Sequence, residues 1–262
     1  MSGGAPCGPG PRLPAREAYR LWAATYEAET AVSLLDEQVV AELGPPVAGR
    51  RLLDAGCGTG RRLRAAAGAT RRAGADLTWE MLRAGAGSGV EAGEAPADAS
   101  ASRRAEPASR PRGAAALAAA DVRALPFATG AFDLVWCRLV VGHLADLGAA
   151  YAELARVCAP AGDVVVTDFH PDAARAGHAR TFRDAAGRVR AVEHHVHPPA
   201  AHLRAAAASG LEPIEWRDGV VGPAVRALYE RAGRLDAYDA QLGLPLVLAV
   251  SFRRRAPAAG CA

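Results

Sequence analysis

The stretch Leu52-Leu53-Asp54-Ala55-Gly56-Cys57-Gly58-Thr59-Gly60 decides how this chain is read: two large aliphatics, an acid, then glycine at alternate positions. A short apolar run closed by a carboxylate reads as a buried strand. The glycines after it allow a sharp turn and a close backbone approach to a ligand, with the next helix N-terminus facing that ligand. A dinucleotide fingerprint would need a third glycine in G-x-G-x-x-G. Counting from Gly56 puts Arg61 in its place, and counting from Gly58 puts Leu63 there, so a nicotinamide cofactor is not expected.

Outward from this motif, short apolar runs alternate with Ala/Arg-rich helical stretches. Strands are expected at 51–55, 72–76, 115–120, 132–137 and 163–168, and helices at 59–68, 78–84, 147–158 and 199–209. That alternation belongs to a parallel sheet with crossover helices. The run at 115–120 is nearly all Ala, a poor strand former, and its flanks alone mark it as a strand. Ahead of the motif, Ala18, Leu21, Trp22 and Tyr26, then Val32, Leu35, Val39 and Val40, recur at helical spacing until Gly44-Pro45-Pro46. Behind it, Leu211 to Trp216 and Pro245 to Phe252 flank a helix around Val225 to Ala232 and can pair antiparallel at a sheet edge.

With 262 residues, half of them hydrophobic and 23% charged, the chain is long enough for one soluble domain with a large core. That domain is expected over 15–254. The Gly/Pro-rich start 1–14 is expected to be disordered, 84–113 to be a disordered insertion because it holds one large aliphatic (Val90) and no aromatic, and 255–262 to be a tail. No run of about 18 apolar residues occurs and the start lacks an apolar signal core, so neither a membrane span nor secretion is expected, and the location read is cytoplasmic. The net charge of +3 comes from 31 basic residues that are all Arg, with Lys and Asn absent, which is a compositional bias and weak support for a nucleic-acid partner. Cys7, Cys57, Cys137, Cys158 and Cys261 form no CxxC pair and read as reduced thiols.

Asp54, Gly56, Gly58 and Gly60 match the D-x-G-x-G-x-G motif of the class I S-adenosylmethionine-dependent methyltransferases, and here the sequence resembles that family. The likeness continues in order. Gly74-Ala75-Asp76-Leu77-Thr78-Trp79-Glu80-Met81-Leu82 is similar to its GxDxSxxML stretch. Ala120 to Phe127 with Gly130 to Cys137 is similar to its gDaxxLPFxdgsFDlV stretch, and Tyr151 to Gly162 to its xxExxRVLkPGG helix and turn. Ala18 to Glu27 is similar to its leading YDxWAxxYD. The resemblance covers about 17–170 outside the insertion and is of the small-molecule, ubiquinone/menaquinone-methyltransferase type. Arg20 and Ala159-Pro160-Ala161-Gly162 depart mildly from the family pattern.

The resemblance implies a Rossmann-like three-layer α/β/α sandwich, its seven strands in the order 3-2-1-4-5-7-6 with the last antiparallel, and S-adenosyl-L-methionine as cofactor. It implies that the glycine turn of Asp54, Gly56, Cys57, Gly58 and Gly60 holds the amino-acid and ribose part, that Asp76 takes the ribose hydroxyls, that Leu77 and Met81 flank the adenine, and that Asp121 and the Val122 amide meet its amino edge. Tyr26 from the leading helices and Cys137 at a strand end complete the expected cofactor wall.

Methyl transfer from a sulfonium needs alignment and, for some acceptors, a base. The two loops expected to face the acceptor each hold one histidine, His143 and His170, and these are the expected catalytic residues. The cluster His194, His195 and His197, with His202 beyond, reads as a His-rich substrate wall, with no metal expected. The planar-amine clamp Asn/Asp-Pro-Pro-Tyr/Phe is replaced by Cys137-Arg138-Leu139-Val140, which weakens a base-flipping reading. The function expected is therefore methyl transfer to a small organic acceptor. The competing readings are an RNA or protein methyltransferase and a cofactor-binding protein without catalysis.

Overall fold

The structure is a computed structural model that describes residues 11–86 and 115–256. The chain enters as a two-residue strand β1 (Arg12–Leu13), helix α1 (Ala15–Trp22), a 3-10 turn (Ala23–Thr25) and α2 (Ala31–Leu43). Then come β2 (Arg51–Ala55), α3 (Arg61–Ala65), β3 (Arg71–Asp76), α4 (Trp79–Ala86), β4 (Ala116–Ala119), β5 (Phe132–Arg138), α5 (Gly148–Val157), β6 (Cys158–Phe169) and α6 (Pro171–Arg175). The remainder is β7 (Thr181–Arg183), β8 (Val189–Val192), α7 (Pro199–Ala208), β9 (Leu211–Val220), α8 (Pro223–Arg231), α9 (Leu235–Gln241) and β10 (Pro245–Arg254).

Seven strands form one sheet in the order β4-β3-β2-β5-β6-β10-β9. The first five run parallel, and β10 is antiparallel to both of its neighbours. Counted along the chain this is 3-2-1-4-5-7-6, the expected order. Because both faces are covered, the central strands are continuous apolar runs. Leu134 and Trp136 of β5 point into one core with Leu35, Val39 and Leu43 of α2, while Val135 and Cys137 point into the other with Tyr151 and Leu154 of α5. Asp36 pins α2 to the sheet: its Oδ2 accepts from Arg62 Nη2 at 2.7 Å and Arg138 Nη2 at 2.8 Å, and its Oδ1 from Thr167 Oγ1 at 2.6 Å.

Several boundaries differ from the sequence reading. The helix expected at 59–68 is only Arg61–Ala65, since the glycine turn takes the positions before it. Residues 84–86, expected in the insertion, form the last turn of α4, and the remainder of that segment, 87–113, lies outside the described residues. Cys158, expected to end a helix, and Ala159 to Gly162, expected as a turn, instead begin β6, with the local kink taken up by Ala161 at φ 59°. Of the start expected to be disordered, residues 1–10 lie outside the described residues, whereas Arg12–Leu13 pairs parallel with Ala191–Val192 of β8. Leu13 finds apolar partners there: Ala18, Phe182 and Val192 are buried together, with Leu13, Tyr19 and Trp22 packed around them. Of the expected tail only Arg255 and Ala256 are described, and Arg255 Nε pairs with Glu212 at 2.7 Å.

The small sheet β1-β8-β7, which the sequence reading does not contain, is thus built from two distant parts of the chain. With α1 it forms a cap, in which Trp22 stacks on Phe182 with ring centroids 4.9 Å apart.

Candidate active site

Open α/β sheets bind ligands at the C-terminal ends of their parallel strands. There, between those ends and α1, lies a cavity of about 290 Å³. Its floor is the turn after β2. Gly56 and Gly58 adopt φ of 87° and 57°; a Cβ on Gly58 would come within 3.1 Å of Met81 Cε and 3.4 Å of Tyr26 Cε1, and one on Gly56 would overlap Val140. Glycine is therefore required by both backbone conformation and space.

At the end of β3, Asp76 braces this turn: its Oδ2 accepts from the Gly58 N–H and its Oδ1 from the Thr78 N–H, both at 2.8 Å. Burial raises its carboxyl and these two bonds work against the rise. Past β4, Asp121 is clamped by Arg123, whose Nη2 lies 2.6 Å from Oδ2, and that bond holds its carboxyl below the usual range. Leu77, Met81 and Val122 supply apolar wall, and Leu77 is exposed into it at 44% of its surface. Of the expected cofactor residues the cavity brings together Tyr26, Gly56, Gly58, Asp76, Leu77, Met81, Asp121 and Val122.

Asp54, Cys57, Gly60 and Cys137 lie behind this lining. Cys57 and Cys137 are buried, and burial pushes both thiols up, so they pack rather than react. Asp54 is fully buried under the turn with neither carboxylate oxygen hydrogen-bonded among the described residues, and burial pushes it up to about 6. An orphaned carboxyl below a glycine turn, with two further acids in the cavity wall, suits a ligand carrying a cation and a polyhydroxyl group.

His143 lines the same cavity from the short 3-10 turn Val141–His143. Its Nδ1 lies 3.0 Å from the Glu193 carbonyl oxygen and so must carry the proton; its Nε2, 2.9 Å from Tyr19 Oη, then accepts from the phenol. Tyr19 Oη in turn accepts from Arg180 Nη2 at 3.0 Å. Burial, reinforced by the Arg180 charge, pushes His143 down to about 3. The ring is thus neutral with both nitrogens engaged, a poor free-standing base. His170 is elsewhere: it is the N-cap of α6, its Nδ1 accepting from the Asp172 N–H at 3.0 Å, and it lines neither this cavity nor its neighbour. His170, expected as catalytic, thus stands at the start of α6, where β6 ends.

The histidines expected as a substrate wall line neither cavity. His194 packs edge-on against His143 and Phe169, with centroids 5.7 and 5.5 Å away, and His197 Nε2 donates to the Leu144 carbonyl at 2.8 Å. His202 Nδ1 meets Tyr151 Oη at 2.9 Å. Between them lies Asp168, fully buried, with Oδ1 3.9 Å from His194 Nε2 and Oδ2 3.6 Å from His202 Nε2. Among the described residues, no group of three His, Cys, Asp or Glu side chains is placed to hold a metal ion.

A second cavity, about 280 Å³, lies beyond Tyr26 and Leu139, which line both. Leu139 takes φ 59°, a left-handed conformation costly for a branched side chain; its N–H is held by Thr167 Oγ1 at 3.0 Å. Arg180, from the segment before β7, lines this second cavity. No sequence signal marks Arg180, one arginine among many beyond residue 170, or Asp168, the last residue of an expected strand.

Residues 53–166 match a family model described as a methyltransferase domain. A malonyl-[acyl-carrier protein] O-methyltransferase from Legionella pneumophila is 33% identical over 129 residues, 48% of this chain and 38% of that protein. The chain spans between 20% and 38% of the length of the curated relatives of that name. Among solved structures, an S-adenosylmethionine-dependent methyltransferase from Mesorhizobium loti has a TM-score of 0.60 at 22% identity, covering 84% of this chain and 98% of that one. A geranyl diphosphate C-methyltransferase from Streptomyces coelicolor, solved with S-adenosyl-L-homocysteine, has a TM-score of 0.54 at 19% identity, covering 85% and 77%. At these identities the two structures share the fold with this chain. Among the described residues no helix is long and apolar enough to cross a membrane.

Proposed function

We propose that this chain, whose residues 53–166 match a methyltransferase-domain model, is a class I S-adenosylmethionine-dependent enzyme that transfers a methyl group from S-adenosyl-L-methionine to a small organic acceptor. The observation that carries this reading is the first cavity, where the Gly56–Gly58 floor, two acids and an apolar slot converge at the strand ends. In this reading Asp76 takes the ribose hydroxyls, Asp121 the adenine amino group, and Leu77, Met81 and Val122 enclose the base. Tyr26 and the glycine turn hold the methionyl part above the buried charge of Asp54.

When bound, the cofactor supplies an electrophilic methyl on a sulfonium; the chain's own residues hold, align and exclude water. His143, neutral and engaged on both nitrogens, acts by fixing Tyr19, whose phenol faces the cavity between two partners. Such a site favours acceptors that arrive ionised or already nucleophilic over those that need a strong base. Three buried free cysteines, Cys57, Cys137 and Cys158, suit a reducing compartment, and we place the protein in the cytoplasm.

Calorimetric titration with S-adenosylmethionine and NAD in parallel tests the reading. Binding of the first alone is expected; binding of NAD alone, or of neither, ends it. Incubation with methyl-labelled cofactor and a metabolite extract then identifies the acceptor by its label.

A further inference from the structure

We propose that the second cavity is the acceptor site and that Arg180 anchors a carboxylate of the acceptor there, an inference that rests on the methyltransferase reading. The lining of this cavity is one-sided in charge: among the described residues Arg61, Arg62 and Arg180 contribute to it, and no Asp or Glu does. Two of the three cations are spoken for. Arg62 pairs with Asp36 at 2.7 Å and Glu37 at 3.3 Å, and Arg61 reaches Glu37 at 3.9 Å.

Arg180 is different. It is only 8% exposed, it makes no ion pair among the described residues although its charge acts on the buried Asp168, and its Nη1 is buried with no hydrogen-bond partner. Its other terminal nitrogen donates to the neutral phenol of Tyr19. A guanidinium removed from water without a counter-ion is costly, and proteins retain one where a ligand supplies the missing charge. A carboxylate matches the fork geometry of the guanidinium.

The remaining wall sets the body of the ligand. Trp22, Tyr26, Phe169, Tyr229 and Leu246 give it an aromatic and apolar part, and Ser33, His178, Thr181 and Gln241 a polar one. Its border with the cofactor cavity is Tyr26 and Leu139, the latter in the strained conformation described above, and strain of that kind collects where ligands are clamped. The site so built takes a small carboxylic acid with an apolar, ring-sized body.

The test uses the whole chain and a matched pair of probes, 3-phenylpropanoate and its uncharged amide, measured by ligand-detected NMR with S-adenosyl-L-homocysteine present. Wild type should bind the acid at least about ten-fold more tightly than the amide, and Arg180→Gln should reduce that preference to about two-fold or less. Equal binding of acid and amide by wild type, binding of neither, or a preference that survives in Arg180→Gln overturns the proposal, and the wild-type comparison holds even if the variant fails to fold. Calorimetry of S-adenosylmethionine on Arg180→Gln separates the two sources of a carboxylate. Unchanged cofactor affinity supports the acceptor, whereas a ten-fold loss assigns Arg180 to the cofactor's own carboxylate and overturns the inference while leaving the methyltransferase reading standing.

Discussion

Replacing Asp168 by Asn should make the protein more stable, and increasingly so as pH rises. The carboxyl is fully buried at the end of β6, its Oδ1 accepts from the Phe169 N–H at 2.7 Å, and its Oδ2 has no hydrogen bond among the described residues. Burial pushes it from 3.8 to about 7. A folded value above the unfolded one means that the native state holds the proton more tightly. Its stabilising contribution is complete below the unfolded value and is lost as pH rises through the folded one. At roughly 1.4 kcal/mol per unit the whole shift corresponds to about 4 kcal/mol, of which about 2–3 kcal/mol falls between pH 5 and pH 8. Asn keeps the acceptor for the Phe169 N–H, and its amide can donate to His202 Nε2, which has no partner of its own. His143, His194 and His202, pushed down to about 3, 2 and 4, weaken both proteins alike as pH falls below 6.5, so they cancel in the comparison. Urea unfolding of both proteins at pH 5 and pH 8 is the assay. The stability difference should shift towards Asp168→Asn by about 2–3 kcal/mol across that interval. A constant difference, or one moving the other way, would refute the reasoning and show that Asp168 is ionised throughout, held by the charge of Arg180.

Three further outcomes follow from the geometry. Asp121→Ala removes a charge-assisted hydrogen bond, so calorimetry should read a cofactor affinity lower by about ten- to a hundred-fold with the melting temperature nearly unchanged. Turnover against pH should show no inflexion near 6.5 from His143, which burial holds at about 3; a clear inflexion there that vanishes in His143→Ala would restore it as a titrating base. Asp36→Ala removes the fully buried counter-ion of Arg62 and Arg138, leaving them only the exposed Glu37, and should cost about 3 kcal/mol in chemical unfolding, whereas a loss under 1 kcal/mol would mean that Glu37 or water takes over its place.

The sheet was legible because its strands leave local marks. Leu52 to Gly60 announces a strand and turn by aliphatics followed by glycines, and Phe132 to Cys137 is a buried run long enough to mean one thing. Even the alanine strand could be placed from Asp121 and Leu125-Pro126-Phe127 after it. The cap was not legible, because Arg12–Leu13 acquires its strand only by pairing with Ala191–Val192, a contact that no local pattern encodes. The same holds for the charges: Arg180 and Asp168 matter through burial and missing partners, which are properties of three dimensions. His143 shows the intermediate case, since its loop was predicted but its partners, the Glu193 carbonyl and Tyr19, come from the cap.

That cap has a consequence for the order in which the molecule is made. Tyr19 and Arg180 are 161 positions apart, and Trp22 must likewise wait for Phe182. A chain synthesised from its N-terminus can assemble most of the parallel sheet while α1 has no partner for its aromatic face, and such late, long-range pairings are slow to form. The second cavity is therefore completed last, and a nascent chain halted before residue 180 would carry every residue that lines the first cavity, from Ala15 to Ala145, yet lack the Arg180 and Phe182 contacts that hold α1 over it.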